Sequence, residues 1–504
     1  MLKHQESTGC PCPLRPLDMK NGIVVFLAFL FPLCFLRAED KAPPLVVHEW
    51  GTFTSLQDED GNAIGGINTD DEPVPQFVHR LSQLMLLSPS EAPPHFFQGA
   101  PSCHPDVTMR LETPVIYFYP PADWKAGVFN VRVSFRGGWL TEFYPAANFK
   151  APGLDMKHPD AVYTEKSEKL EGFGGFGHIK KDATGELSWN GLTLDANAAG
   201  PETEEKVWLA PRGTKSTPLT TSDGKESEKF LFYRGVGHAN ASLRVMRDET
   251  GALQIHPQPG ESAFHTDAAW MVDVSPDGKC AFKTIGKLDF DTDARPRFLQ
   301  STLLRAPIAT IPGSFPPAEY AEGNMQRLQK EMRESLVKQG LFADEADALL
   351  KTWEVSYFKS PGQRLFYLCP RAEVDKILPL EISTPANLTR VMIARIEIVT
   401  PAQRAILAKI AAGPAPDLSG MRGVTADSNS DFFKHPENMA NFNDVMTGKK
   451  PYAALGLPIP EIYGDYLKLG RFRNALILEE QKRRPTTALG TFINDNGFEA
   501  YKIE

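Results

Sequence analysis

Over short runs from Leu45 to about Phe290, apolar side chains recur at every second position, and no other feature limits so tightly what this chain can become. Period two marks strands with one buried face. Val128 to Phe135 places Phe129, Val131, Val133 and Phe135 on one side and Asn130, Arg132 and Ser134 on the other. Arg136-Gly137-Gly138 follows, with glycines where a hairpin needs positive φ, so Trp139 to Tyr144 is expected as the return strand. Ala268 to Val274 repeats the pattern, and Ser275-Pro276-Asp277-Gly278 is a turn sequence leading into Cys280 to Ile285. Further strands are expected at 45–54, 111–119, 186–194, 206–210, 229–234, 241–247 and 252–256. So many short strands between turn signals predict an N-terminal antiparallel β-sandwich-like body with long loops, over residues 39–306.

A Pro-rich linker, 307–317, separates this body from a segment with a different period. Ala321, Met325, Leu328, Met332 and Leu336 form a helical stripe that Gly340 ends. Asp344 to Trp353 reads as a second helix, Arg364 to Leu368 and Thr389 to Val399 as strands, and Pro401 to Ala411 as a helix with Pro in its first turn. Ala412 to Pro460 reads mostly as loop, and Glu461 to Arg484 and Thr486 to Asn496 as closing helices. The expected fold class is therefore α+β, the β body being followed by a mixed, mostly helical C-terminal domain over 318–504.

Ile23 to Leu36 is the one stretch of membrane-like hydrophobicity. Its 14 residues are short of the roughly 20 that a spanning helix needs. Lys20 before it and Ala38 after it give the layout of a secretory signal, so 1–38 is expected to be a cleaved signal peptide, with Met19 an alternative start. The alternative is an uncleaved anchor, which would be the chain's one contact with a membrane. Cleavage leaves Cys103, Cys280 and Cys369, enough for at most one intramolecular disulfide. A net charge of −9 argues against nucleic acid as a partner.

The chemistry-bearing residues lie inside apolar strands. His48 and Glu49 are neighbours on a strand and point to opposite faces, so they do not form a ready metal pair without a kink at Gly51. A carboxylate on an apolar face has a raised pKa unless paired, which makes Glu49 a candidate base. Glu112, Glu142, Arg234, Arg395 and Glu397 also interrupt apolar runs. Read structurally, they are exposed faces or buried ion pairs; read functionally, they line a polar cleft between the β body and the C-terminal domain. Asp289, Asp291 and Asp293 share one side of an extended segment and are a candidate calcium site, although Ala294 and Gln300 stand where an EF-hand has Gly and Glu. Gly172 to Gly177 matches G-x-G-x-x-G as a string without the flanking strand and helix of a dinucleotide fold. Ser335-x-x-Lys338 lacks the partner motifs of a β-lactamase. His265-Thr266-Asp267 is a further metal contributor in outline, and Asn240 and Asn387 are glycosylation acceptors only in a eukaryote.

The segments VHEWGTFTS (47–55), RLETPVIYFY (110–119), GWLTEFYP (138–145), KFLFYRGVG (229–237), LLKTWEVSYF (349–358), RLFYLCPR (364–371), RVMIARIEIVTP (390–401) and LGRF (469–472) together resemble a group of bacterial exported proteins that open with HEWGTFT. The resemblance implies a bacterial protein outside the cytosol, periplasmic or extracellular. It carries over no catalytic residue and no cofactor. The leading expectation is an exported cell-envelope binding or structural module whose partner is a small molecule or an envelope component. The rival is a periplasmic hydrolase, assisted by calcium or a transition metal in one version. Its site would use His48, Glu49, Glu112, Glu142 and Arg234, with Glu49 as base and Arg234 binding an anion.

Overall fold

A computed structural model describes residues 44–69, 74–81, 96–97, 100–125, 127–152, 162–163, 177–291, 307–413 and 461–496. The signal segment 1–38, residues 172–176 of the glycine string, Asp293 and most of the 412–460 loop lie outside the described residues.

The strands that matter here are β1 (Leu45–Gln57), β2 (Met109–Tyr119), β3 (Phe129–Arg136), β4 (Gly138–Tyr144), β5 (Thr184–Leu194), β6 (Phe230–Gly237), β7 (Ala269–Val274), β8 (Cys280–Thr284), β9 (Gly362–Leu368) and β10 (Ala386–Ile398). They belong to one 16-stranded sheet in which the order β5-β4-β6-β2-β1-β10-β9-β7-β8 is continuous. The sheet is mixed: β1 runs parallel to β10, from Leu45 opposite Ala386 to Gln57 opposite Ile398, and antiparallel to β2.

This overturns the expected fold class. The strands of the supposed C-terminal domain do not form a separate, mostly helical body. β10 and β9 lie in the middle of the sheet, joining β1 to the hairpin β7–β8. The physical reason is β1 itself, which is buried on both faces along nearly its whole length. Such a strand needs a neighbour on each edge as well as cover on each face. Pro43–Glu504 accordingly forms one compact unit.

Two local expectations also change. β3 and β4 are not a hairpin; β3 pairs with β5 and with the short strand Leu380–Ile382. Gly137 does take positive φ, +80°. The Phe135 ring lies against Gly138, where a Cβ would come within 2.3 Å of it. Residues 206–210, expected as a strand, lie in the helix Lys206–Arg212, which buries Val207, Trp208 and Ala210.

Helices complete the core. α1 (Asn324–Lys338) buries Leu328, Met332 and Leu336, and α2 (Ala343–Thr352) buries Ala346, Leu349 and Leu350. A six-residue π-helix, Glu354–Lys359, follows. α3 (Arg371–Ile377) precedes β10, and α4 (Pro401–Ala412) follows it with Thr400 as a side-chain cap. The expected helix 461–484 is two helices, α5 (Glu461–Lys468) and α6 (Arg473–Arg483), separated at Gly470 with φ +86°. α7 (Thr487–Asn496) closes the described chain. Trp50, Val115, Phe232, Ile393 and Phe366 pack on one sheet face against α1, α2 and the π-helix. Val47, Phe53, Leu111, Tyr233 and Met392 belong to the cluster on the other face.

Candidate functional site

The HEWGTFT segment is the hub of β1, and each of its side chains has a definable task. His48 directs Nδ1 at Glu345 Oε2, 2.7 Å away on α2. Glu345 also accepts from the Tyr119 hydroxyl at 2.7 Å and from the Phe342 backbone N–H at 2.7 Å. With the carboxylate acting as acceptor throughout, His48 Nδ1 is the donor. Burial and the Glu345 charge raise the Tyr119 hydroxyl well above its usual pKa.

Glu49 points the other way and is sealed in the opposite face. It accepts from Tyr233 Oη and Arg390 Nε, and Arg390 Nη1 reaches on to Asp375 at 2.8 Å. Burial opposes the charge on Arg390, and the Glu49 carboxylate more than offsets this, holding the guanidinium above its usual range. Burial, then the Glu49 charge, lift Tyr233. Trp50 is core. Gly51 permits close approach, because a Cβ there would lie 2.9 Å from Pro114 and 3.0 Å from the Met392 sulfur. Thr52 bonds the Tyr357 hydroxyl, Phe53 is core, and Thr54 donates to Glu112 Oε2 at 3.0 Å.

Thr54 is also where a second arrangement crosses β1. Glu142 on β4, Arg234 on β6, Arg110 and Glu112 on β2, Thr52 and Thr54 on β1, Arg395 and Glu397 on β10, and Arg364 on β9 occupy one face of six consecutive strands. Strand register puts them there, because Glu142 pairs with Arg234, Glu112 with Thr52, Thr54 with Arg395, and Glu397 with Arg364.

Every carboxylate in this belt sits between two guanidinium groups. Glu142 takes Arg80 at 3.0 Å and Arg234 at 3.6 Å. Glu112 takes Arg110 at 3.3 Å and Arg471, from the loop between α5 and α6, at 2.5 Å. Glu397 takes Arg395 Nε at 2.6 Å and Arg364 Nε at 3.3 Å. The belt is buried except near its ends, where the Arg80 side chain is 23% exposed and that of Glu397 10%. Arg364 also gathers the backbone carbonyls of Ser356, Tyr357 and Ser360, at 3.0, 3.0 and 2.6 Å, and so fastens the π-helix. Burial pulls Arg364 down to about 10; Glu397 opposes this and the charges of Arg395 and Arg471 add to it.

The structure therefore gathers Glu112, Glu142 and Arg234 on one face, leaves His48 further along that face, and puts Glu49 on the other. Glu345, Arg390, Arg80, Arg110 and Arg471 were not singled out in the sequence. Only Glu345 carried a local signal: it lies four residues before Leu349 and eight before Trp353, on the apolar stripe of α2. On the proposed calcium segment, the Asp289 carboxylate is engaged by His265 Nδ1 and by Lys287 at 3.1 Å. Among the described residues no group of three or more His, Cys, Asp or Glu is arranged to hold a metal ion. A cleft lined by Phe53, Met109, Tyr367, Cys369 and Glu373 has a free volume of about 10 Å³, at the lower edge of what one water needs. No described helix is long and apolar enough to cross a membrane.

No family model matches the chain, and no curated protein does. Among solved structures it is similar to the Fcho1 mu homology domain of Danio rerio with bound Eps15 peptide, at 8% identity and a TM-score of 0.28, over 71% of this chain and 98% of that one. A likeness this distant assigns neither fold nor function.

Proposed function

We propose that the protein is an exported cell-envelope protein, periplasmic or extracellular, that works as a binding or structural module. The observation that supports this reading is the use of the HEWGTFT side chains. His48, Glu49, Thr52 and Thr54 each engage a partner from a distant part of the chain, and Gly51 lets three strands close up. A motif so occupied is a device for joining β1 to segments far along the chain. A hydrolytic base needs a carboxylate or imidazole facing substrate, whereas Glu49 faces Arg390 and Tyr233 inside the core.

Two measurements test the reading. Cell fractionation with N-terminal sequencing should find the processed chain, beginning near Glu39, outside the cytosol; the unprocessed chain in the soluble cytosolic pool would defeat the export assignment. An unbiased screen of ester, peptide, glycoside and phosphoester substrates should show no turnover that disappears in E49Q. Turnover lost in a folded E49Q protein would restore the hydrolase.

A further inference from the structure

Three histidines meet at the strap 177–183, which leads into β5 and buries Ile179 in the core. From the turn 104–107, shortly before β2, His104 directs Nε2 at the Gly177 carbonyl, 3.1 Å away. Two residues on, Asp106 accepts from the Ile179 N–H at 3.1 Å and engages His178 Nδ1 at 2.8 Å. Just after β6, His238 directs Nδ1 at the Ile179 carbonyl, 2.9 Å away. A carbonyl oxygen only accepts, so His104 and His238 donate through these nitrogens.

His104 differs from the other two. It is fully buried, and its second ring nitrogen, Nδ1, accepts from the Asp106 N–H at 3.2 Å. An imidazole that donates at one nitrogen and accepts at the other is neutral, and a further proton has to enter at the accepting one. There it would meet the Asp106 N–H head on. The titratable groups facing the ring are Asp106, His178 and His238, while β4 presents the Trp139 ring, which carries no charge. Burial holds the imidazole below its ordinary pKa of 6.5; the Gly177 carbonyl and the Asp106 charge oppose this, and His178 and His238 add to it. His178 and His238 keep their donor bonds when they take a proton, so of the three only His104 gives one up.

We propose that His104 and the strap 177–183 form a pH-sensitive latch, closed while the imidazole is neutral and released when a proton displaces the Asp106 N–H from Nδ1. Release gives up the tie to Gly177 and loosens Ile179 from the core. The sign follows from linkage. The latched state binds fewer protons than the open one, so latching is complete above the ordinary value of 6.5 and weakens as pH falls below it. The latch goes beyond the binding-module reading and holds in any compartment.

The test is native-state hydrogen exchange of the full chain, corrected for the intrinsic pH dependence of exchange, in peptides covering 177–183. Strap opening should rise by about tenfold or more between about pH 7.5 and about pH 5. H104Q retains a donor for the Gly177 carbonyl and an acceptor for the Asp106 N–H and does not titrate, so its strap should lose no protection in acid. Peptides from β1, Leu45–Gln57, should stay protected at both pH values. A wild-type strap whose protection does not change overturns the proposal, as does an H104Q strap that opens in acid as wild type does. Opening of β1 in step with the strap also overturns it, because acid would then be unfolding the whole sheet. Where H104Q does not fold, the wild-type profiles of the strap and of β1 decide between these outcomes.

Discussion

Glu49 and Arg390 offer the most direct test of whether the HEWGTFT segment is structural. Neither side chain has exposed surface. Removing one member of such a pair leaves the other charged in the core, which costs about 3–5 kcal/mol. The two single variants should differ. In E49Q, Arg390 keeps its bond to Asp375, a half-exposed carboxylate, so the loss should fall near about 3 kcal/mol. In R390M, Glu49 keeps only the Tyr233 hydroxyl, so the loss should approach about 5 kcal/mol. The double variant E49Q/R390M removes both charges and leaves only uncharged polar groups to be re-paired, a penalty of about 1–3 kcal/mol. It should therefore be more stable than R390M, with a coupling energy of at least about 3 kcal/mol between the two positions. Equilibrium urea unfolding, followed by tryptophan fluorescence and far-UV circular dichroism, measures all four proteins, and equal m-values let midpoints be compared as stabilities. Single variants costing under about 1 kcal/mol, or costs that simply add, would refute the reasoning and reopen Glu49 as a functional carboxylate.

Thr400 caps α4, its hydroxyl accepting from the Gln403 N–H at 3.2 Å while Gln403 Oε1 accepts from the Thr400 N–H at 2.9 Å. T400A should cost about 1 kcal/mol in the same urea assay. Burial pushes the Cys103 and Cys280 thiols up to about 11 and raises Cys369 as well, and all three are free. In the native protein at about pH 8 these positions should resist alkylation, read by peptide mass spectrometry, and react once urea is added. Asp465 on α5 is held below the usual carboxylate range by hydrogen bonds from Lys409 and Lys468. A depressed folded pKa stabilises above the ordinary value of 3.8 and loses that contribution as pH falls through the folded value. D465N should therefore have a lower urea midpoint than wild type at about pH 7 and the same midpoint near about pH 2; a gap that persists in acid would contradict the ionic account.

The parts of this fold that the sequence makes legible are those whose cause is local. The turn Ser275–Gly278 between β7 and β8, the stripe of α1 ending near Gly340, and the Pro401 start of α4 follow from one or two turns of chain. What is not legible is partnership. β1 and β10 lie 341 residues apart in register, and nothing in either strand's alternation names the other. That single parallel pairing turns an expected sandwich with a helical appendage into one sheet. The same limit governs the site. Glu112, Glu142, Arg234, Arg395 and Glu397 stand out in sequence because a charge inside an apolar run must be either surface or paired. Which charges pair depends on register across six strands.

Register also explains why an Arg–Glu–Arg grouping recurs. Wherever two neighbouring strands set Glu directly opposite Arg, as at Glu142 with Arg234 and Glu397 with Arg364, the carboxylate still has an oxygen or a lone pair to offer. A second arginine can fill it from outside the pair: Arg80 from a two-residue strand, Arg395 from two positions along the same strand. Glu112 follows the same logic with Arg110 on its own strand and Arg471 from the LGRF loop.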